Sequence, residues 1–83
     1  VHDGTFEAGM REINIPDNCV LAGKTLDSLD LRKSTGAIVL TVRDSSGQFH
    51  TDDLGGRPFE AGDILVAIGS AVSLDQLEEL VGC

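Results

Sequence analysis

The residues best suited to chemistry are few, and they are grouped by sign. Asp30-Leu31-Arg32-Lys33 sets two cations side by side, and no acid lies between residues 32 and 43. A guanidinium and an ammonium near a helix end either complement the negative end of the helix or offer donors to an anion such as a phosphate. Asp44, Asp52, Asp53, Glu60 and Asp63 flank turn-rich segments. Close carboxylates are the ligands a hard cation requires, and Asp52 and Asp53 form the adjacent pair; equally, surface acids of an acidic domain need no ligand at all. Their spacing matches no DxDxDG loop.

The catalytic types are sparse. His2 lies in the leading segment and His50 in a short polar strand, and neither sits beside a Ser or Cys in a nucleophile motif. Cys19 and Cys83 have no CxxC spacing and read as two reduced thiols with no disulfide between them. Gly69-Ser70-Ala71-Val72-Ser73 and Leu54-Gly55-Gly56-Arg57 match neither phosphate-binding glycine motif, so both read as connecting loops. The residues therefore predict no catalytic site and no enzyme.

The elements that would position these groups follow from periodicity. Residues 1–9 have no period and read as a leader or linker, pairing at most as an extra edge strand. In Met10–Ile15 the alternation of Ile13 and Ile15 with Glu12 and Asn14 predicts a strand, ended by Pro16-Asp17-Asn18. Thr25 is a plausible N-cap for a helix over about 25–34, with Leu26, Leu29 and Leu31 on its apolar side and Gly36 as its stop. Ala37–Arg43 is rich in β-branched residues and predicts an interior strand. Asp44-Ser45-Ser46-Gly47 turns it into a short strand over Gln48–Asp52. Residues 53–62 cross the surface as a loop with no element of their own, Ile64–Gly69 forms another apolar strand, and Ser73 with Gln76 has the capping-box spacing of a last helix whose stripe is Leu74, Leu77, Leu80 and Val81. The resulting class is α+β: a small sheet of about four strands in the order β-α-β-β-β-α, with helices packed on it.

Composition restricts the partners. A chain of 83 residues holds one small core, and with three phenylalanines as its only aromatics that core is aliphatic. A net charge of −8 repels nucleic-acid backbones and anionic lipid surfaces alike. No apolar run approaches a membrane span and no signal peptide opens the chain, which predicts a soluble, cytosolic domain without membrane insertion.

The order Ala22-Gly23-Lys24-Thr25-Leu26, Leu29-Asp30-Leu31-Arg32, Gly36-Ala37-Ile38-Val39 and Gly62-Asp63-Ile64-Leu65-Val66-Ala67-Ile68-Gly69 resembles the RCK C-terminal, or TrkA-C, domain over roughly residues 11–81. The resemblance implies a regulatory domain that follows a Rossmann-type RCK N-terminal domain, forms a homodimer and binds a small ligand at or near the dimer interface. It thereby gates a potassium, or other ion, channel or transporter at the cytosolic face of a membrane. Some relatives bind cyclic di-AMP between two such domains; others of the class point to a divalent cation, or to assembly without ligand. By position Asp30, Leu31, Arg32 and Ile38 correspond to the nucleotide-contacting set, with Ile38 where those relatives tend to carry asparagine, and Arg32 is the residue suited to a phosphate.

Overall fold

The computed structural model describes residues 9–19 and 21–82. Val1–Ala8, which hold His2 and most of the expected leader, lie outside the described residues, as do Val20 and Cys83. Four strands, β1 (Gly9–Asn14), β2 (Ile38–Arg43), β3 (Phe49–His50) and β4 (Ile64–Gly69), form one antiparallel sheet in the order β1-β4-β2-β3. Three helices accompany it, α1 (Leu26–Leu29), α2 (Leu31–Thr35) and α3 (Ala71–Val81), with a 3-10 turn at Leu54–Gly56. Among the described residues no helix is long and apolar enough to cross a membrane.

The two uninterrupted apolar runs become the two interior strands, because a strand flanked on both sides satisfies its backbone within the sheet. In β4, Leu65 and Ala67 turn inward opposite Ile13 and Arg11 of β1, and Val42 of β2 meets Leu65 from the other side. On this face they join Leu74, Leu77 and Val81 of α3, together with Leu31, Ala37 and Phe59, in one core. Fully burying a side chain of the size of Leu65, Leu77 or Phe59 contributes about 1.5–3 kcal/mol. Arg11 fastens α3 from the rim of this face through Asp75 at 2.7 Å and Glu78 at 3.0 Å. Its pairing with β4 leaves one extra residue in β2, Leu40, between the Val39–Ala67 and Thr41–Val66 pairs.

Several local expectations change. The helix expected over 25–34 is two short helices, because Asp30 adopts φ 50° and ψ 48° and breaks the run. Asp tolerates this left-handed conformation better than a branched residue, since its short side chain bonds locally. The strand expected over Gln48–Asp52 shrinks to Phe49–His50, because the Gln48 carbonyl closes the turn by accepting the Asp44 N–H at 2.8 Å. The cap of the last helix is Ser70 rather than Ser73: Ser70 Oγ accepts the Ser73 N–H at 3.1 Å. Residues 53–62 contain an element after all, the 3-10 turn. Nor does Cys19 carry the reduced thiol expected of it, for it is disulfide-bonded and buried. Its Sγ accepts the Leu21 N–H at 3.4 Å.

Candidate functional site

One wall of the site begins at Thr25. Its hydroxyl accepts the Ser28 N–H at 3.0 Å while Ser28 Oγ accepts the Thr25 N–H at 3.0 Å, so a reciprocal cap starts α1. The kink at Asp30 then redirects the chain into α2. That helix is closed by Gly36 at φ 83°, whose N–H donates to the Arg32 carbonyl at 2.8 Å, and Thr35 Oγ1, bonded to the Leu31 carbonyl, also receives the Ala37 N–H that opens the route into β2. The far wall is the 3-10 turn. Glycine at residue 55 makes room for the Asp27 carboxylate: a Cβ there would stand 2.5 Å from Asp27 Oδ1, and the Asp27 side chain would have to turn away.

Between these walls lies a pocket of about 400 Å³. Leu26, Asp27, Asp30, Leu31 and Arg32 contribute from the kinked helices, Ala37, Ile38 and Val39 from the start of β2, and Leu54 and Gly55 from the 3-10 turn. The volume falls within the range of small-molecule sites. Its floor is aliphatic, and its polar groups are two carboxylates and one guanidinium. Arg32 is exposed and has no carboxylate partner among the described residues, so its charge is free to meet a ligand.

All four residues singled out for ligand contact, Asp30, Leu31, Arg32 and Ile38, therefore line the same pocket. Leu31 is almost wholly buried and acts as floor, whereas Ile38 is 40% exposed at the rim. Sequence reasoning missed Leu26, Asp27, Ala37, Val39, Leu54 and Gly55. Leu54, an apolar residue set between Asp53 and Gly55 in a turn-rich loop, was the available sign that this part of the loop packs against something.

The other candidates gather elsewhere or not at all. Asp52 and Asp53 are exposed, and among the described residues no group of three or more His, Cys, Asp or Glu side chains is arranged to hold a metal. His50 Nε2 lies 2.7 Å from Asp44 Oδ2, while Ser46 Oγ donates to Asp44 Oδ1 at 2.6 Å. Imidazole and hydroxyl thus bond the same carboxylate, an arrangement that organises a turn and leaves the serine without a base. The Ser46 hydroxyl, then His50, then the Gln48 and Ser46 amides hold the Asp44 carboxyl well below the usual carboxylate range. Asp63 is 1% exposed and accepts Arg57 Nη1 at 2.8 Å and the Glu60 N–H at 2.9 Å, locking the loop before β4.

The TrkA-C domain family model matches residues 10–82. The chain belongs to the TrkA-C domain family. That family is regulatory rather than catalytic. A search of curated proteins gives no match. Among solved structures, the TrkA-C chain superposes on the RCK_C domain dimer of S. agalactiae BusR in complex with c-di-AMP, with a TM-score of 0.78 at 19% identity, over 88% of this chain and 89% of that one. It superposes on the RCK C domain of the potassium transport protein KtrA in complex with c-di-AMP with a TM-score of 0.77 at 25% identity, over 88% and 82%. It also matches S. agalactiae BusR in complex with its busAB-promotor DNA, again at 0.78 and 19%, but covers only 35% of that longer chain.

Proposed function

We propose that this TrkA-C domain is a dimerising regulatory module whose pocket binds a small two-fold-symmetric anion, cyclic di-AMP foremost, at the seam between two copies. The observation that carries the reading is the convergence of Asp30, Leu31, Arg32 and Ile38 on one pocket with an aliphatic floor and a guanidinium that has no carboxylate partner among the described residues. Leu26, Leu31 and Leu54 suit the faces of a nucleobase, and Arg32 suits a phosphate oxygen, to which a guanidinium gives charge-assisted hydrogen bonds. A dinucleotide carries two of each, so two copies related by a two-fold axis would match both of its halves. The carboxylates of Asp27 and Asp30 confine the anion to the Arg32 side. The KtrA and BusR domains solved with c-di-AMP support the same choice.

In this reading the ligand acts through its differential affinity for two relative poses of the paired domains, and so shifts whatever they are attached to. The attached parts are an RCK N-terminal domain and a potassium channel or transporter on the cytosolic side of a membrane. The net charge of −8 argues against the domain itself gripping a nucleic-acid backbone. Isothermal titration of cyclic di-AMP into the purified domain, with light scattering for mass, tests this. Saturable heat at one nucleotide per dimer, abolished in Arg32→Ala, is the expected result. A dimer with no heat would leave an assembly module without this ligand, and a monomer with no heat would overturn the reading altogether.

A further inference from the structure

The charges that line the pocket do not balance. Asp27 and Asp30 face it with one guanidinium, Arg32, so each copy leaves an excess of one negative charge there. None of the three makes an ion pair among the described residues, so the charges stand apart rather than cancel in contact. A pocket that holds an anion while itself net negative limits how much charge that anion can carry.

Asp27 has the more defined seat of the two carboxylates. Its oxygens lie 2.5 and 2.6 Å from where a Cβ of residue 55 would stand, which lodges the charge at the junction of α1 and the 3-10 turn. Local structure gives it little to do. The helix it belongs to has four residues, too few for a macrodipole of consequence, and the cap of that helix is made by Thr25 and Ser28. Asp27 itself makes no side-chain hydrogen bond among the described residues.

We propose that Asp27 is a specificity-determining residue of this pocket, one that admits phosphodiesters and disfavours phosphomonoesters. This rests on the anion-binding reading given above. A phosphodiester carries one negative charge, whereas a monoester carries about −1.5 to −2 at pH 7, because its second pKa is about 6. Opening one phosphodiester of a cyclic dinucleotide with water gives a linear dinucleotide that ends in one monoester. The two ligands share bases, sugars and phosphorus count, and differ in that added charge and in ring closure.

The pocket dimensions set the size of the effect. A volume of about 400 Å³ is about 9 Å across, so a phosphate inside stands on the order of 5 Å from the lining carboxylates. At that range, in water with physiological salt, each facing carboxylate weakens the hold on one extra negative charge about two- to fourfold. Arg32 offsets one of the two carboxylates, so the net discrimination is about that factor. Ring closure also favours the cyclic ligand, because less conformational freedom is lost on binding. The decisive quantity is therefore the change in the ratio of the two affinities when the charge at residue 27 is removed.

Calorimetric titration of cyclic di-AMP, and of the linear 5′-phosphorylated adenine dinucleotide, into the purified domain reads that ratio. Asp27→Asn should raise the affinity for the linear ligand relative to the cyclic one by about two- to fourfold, and added salt should shrink the difference between wild type and variant. Gly55→Ala, at a glycine whose φ lies outside the left-handed region, keeps the charge but displaces it from its seat, and should move the ratio in the same direction. Glu79→Gln removes an exposed acid that does not line the pocket and should leave the ratio unchanged, which separates a local effect from one of net charge. A ratio unmoved by Asp27→Asn or by Gly55→Ala, or moved as much by Glu79→Gln, would overturn the assignment while leaving cyclic di-AMP as the ligand. No heat from cyclic di-AMP with the wild-type domain would overturn the anion reading of the pocket, and this assignment with it.

Discussion

Replacing Asp63 by alanine should be the most damaging single change of a charged residue in this domain. Its carboxylate is 1% exposed and receives Arg57 Nη1 at 2.8 Å, Arg57 Nη2 at 3.4 Å and the Glu60 N–H at 2.9 Å. Arg57 is itself only 16% exposed, and its hydrogen bond to Asp63 raises its pKa above the ordinary value. Alanine at 63 would leave the Glu60 N–H without its acceptor and the half-enclosed Arg57 guanidinium with only the Pro58 carbonyl at 3.4 Å and the exposed Glu60 carboxylate at 3.8 Å. Removing one partner of a buried, hydrogen-bonded pair costs about 3–5 kcal/mol, a large part of the 5–15 kcal/mol of a typical domain. At about 4–8 °C per kcal/mol for a chain of this size, the midpoint of thermal unfolding should fall by at least ~12 °C. Removing both charges at once, as Asp63→Ala with Arg57→Met, should cost less than Asp63→Ala alone, since no unpaired charge remains. Urea unfolding of the wild type, both single variants and the double variant, at one protein concentration so that assembly is held constant, closes the cycle. A loss below about 1 kcal/mol for Asp63→Ala, or strictly additive effects, would refute the view that the pair and not the loop backbone holds this corner.

The turn after β2 should respond to acid. The Asp44 carboxyl titrates below its unfolded value, so its contribution is complete above about pH 4 and fades as the pH falls through the lower folded value. Amide shifts of Ser46 and Gln48 should follow that titration, and Asp44→Asn should abolish it. At the start of α3, Ser70→Ala should cost about 1 kcal/mol, and Ser73→Ala distinctly less, because only Ser70 Oγ accepts a free backbone N–H of the helix. Equal losses in thermal unfolding would return the cap to Ser73.

The interior strands were legible because runs such as Ile38-Val39-Leu40-Thr41-Val42 admit no helical period and are bounded by glycine and a turn. Hydrophobic spacing failed where a single backbone conformation decided the outcome. Leu26, Leu29 and Leu31 fit one helix as well as two, and no pattern of side chains announces that Asp30 takes a positive φ. Ser70 and Ser73 have the same capping chemistry, and the choice between them depends on where β4 ends at Gly69, a fact of pairing with β1. The pocket divided along the same line. Arg32 and Ile38 are near neighbours in the chain and were identified together, whereas Leu54 and Gly55 reach the site only through tertiary packing against α1. Asp27 approaches Gly55 only once that packing is formed, so nothing in its place along the chain marks it as part of the site.

The left-handed residue at Asp30 divides one pocket wall into pieces of four and five residues. A single helical turn has almost no stability of its own, because ordering its backbone outweighs its one or two internal bonds. The wall is therefore as stiff as its anchors and no stiffer: Leu31 is clamped in the core, while Leu26 and Leu29 only lean against it. A molecule pressing on α1 works against a few side-chain contacts and a one-residue swivel, with α2 and β2 acting as the fixed frame. The domain thus has a compliant lip on a rigid seat, and a displacement there is mechanically inexpensive to transmit along the loop to the 3-10 turn it touches.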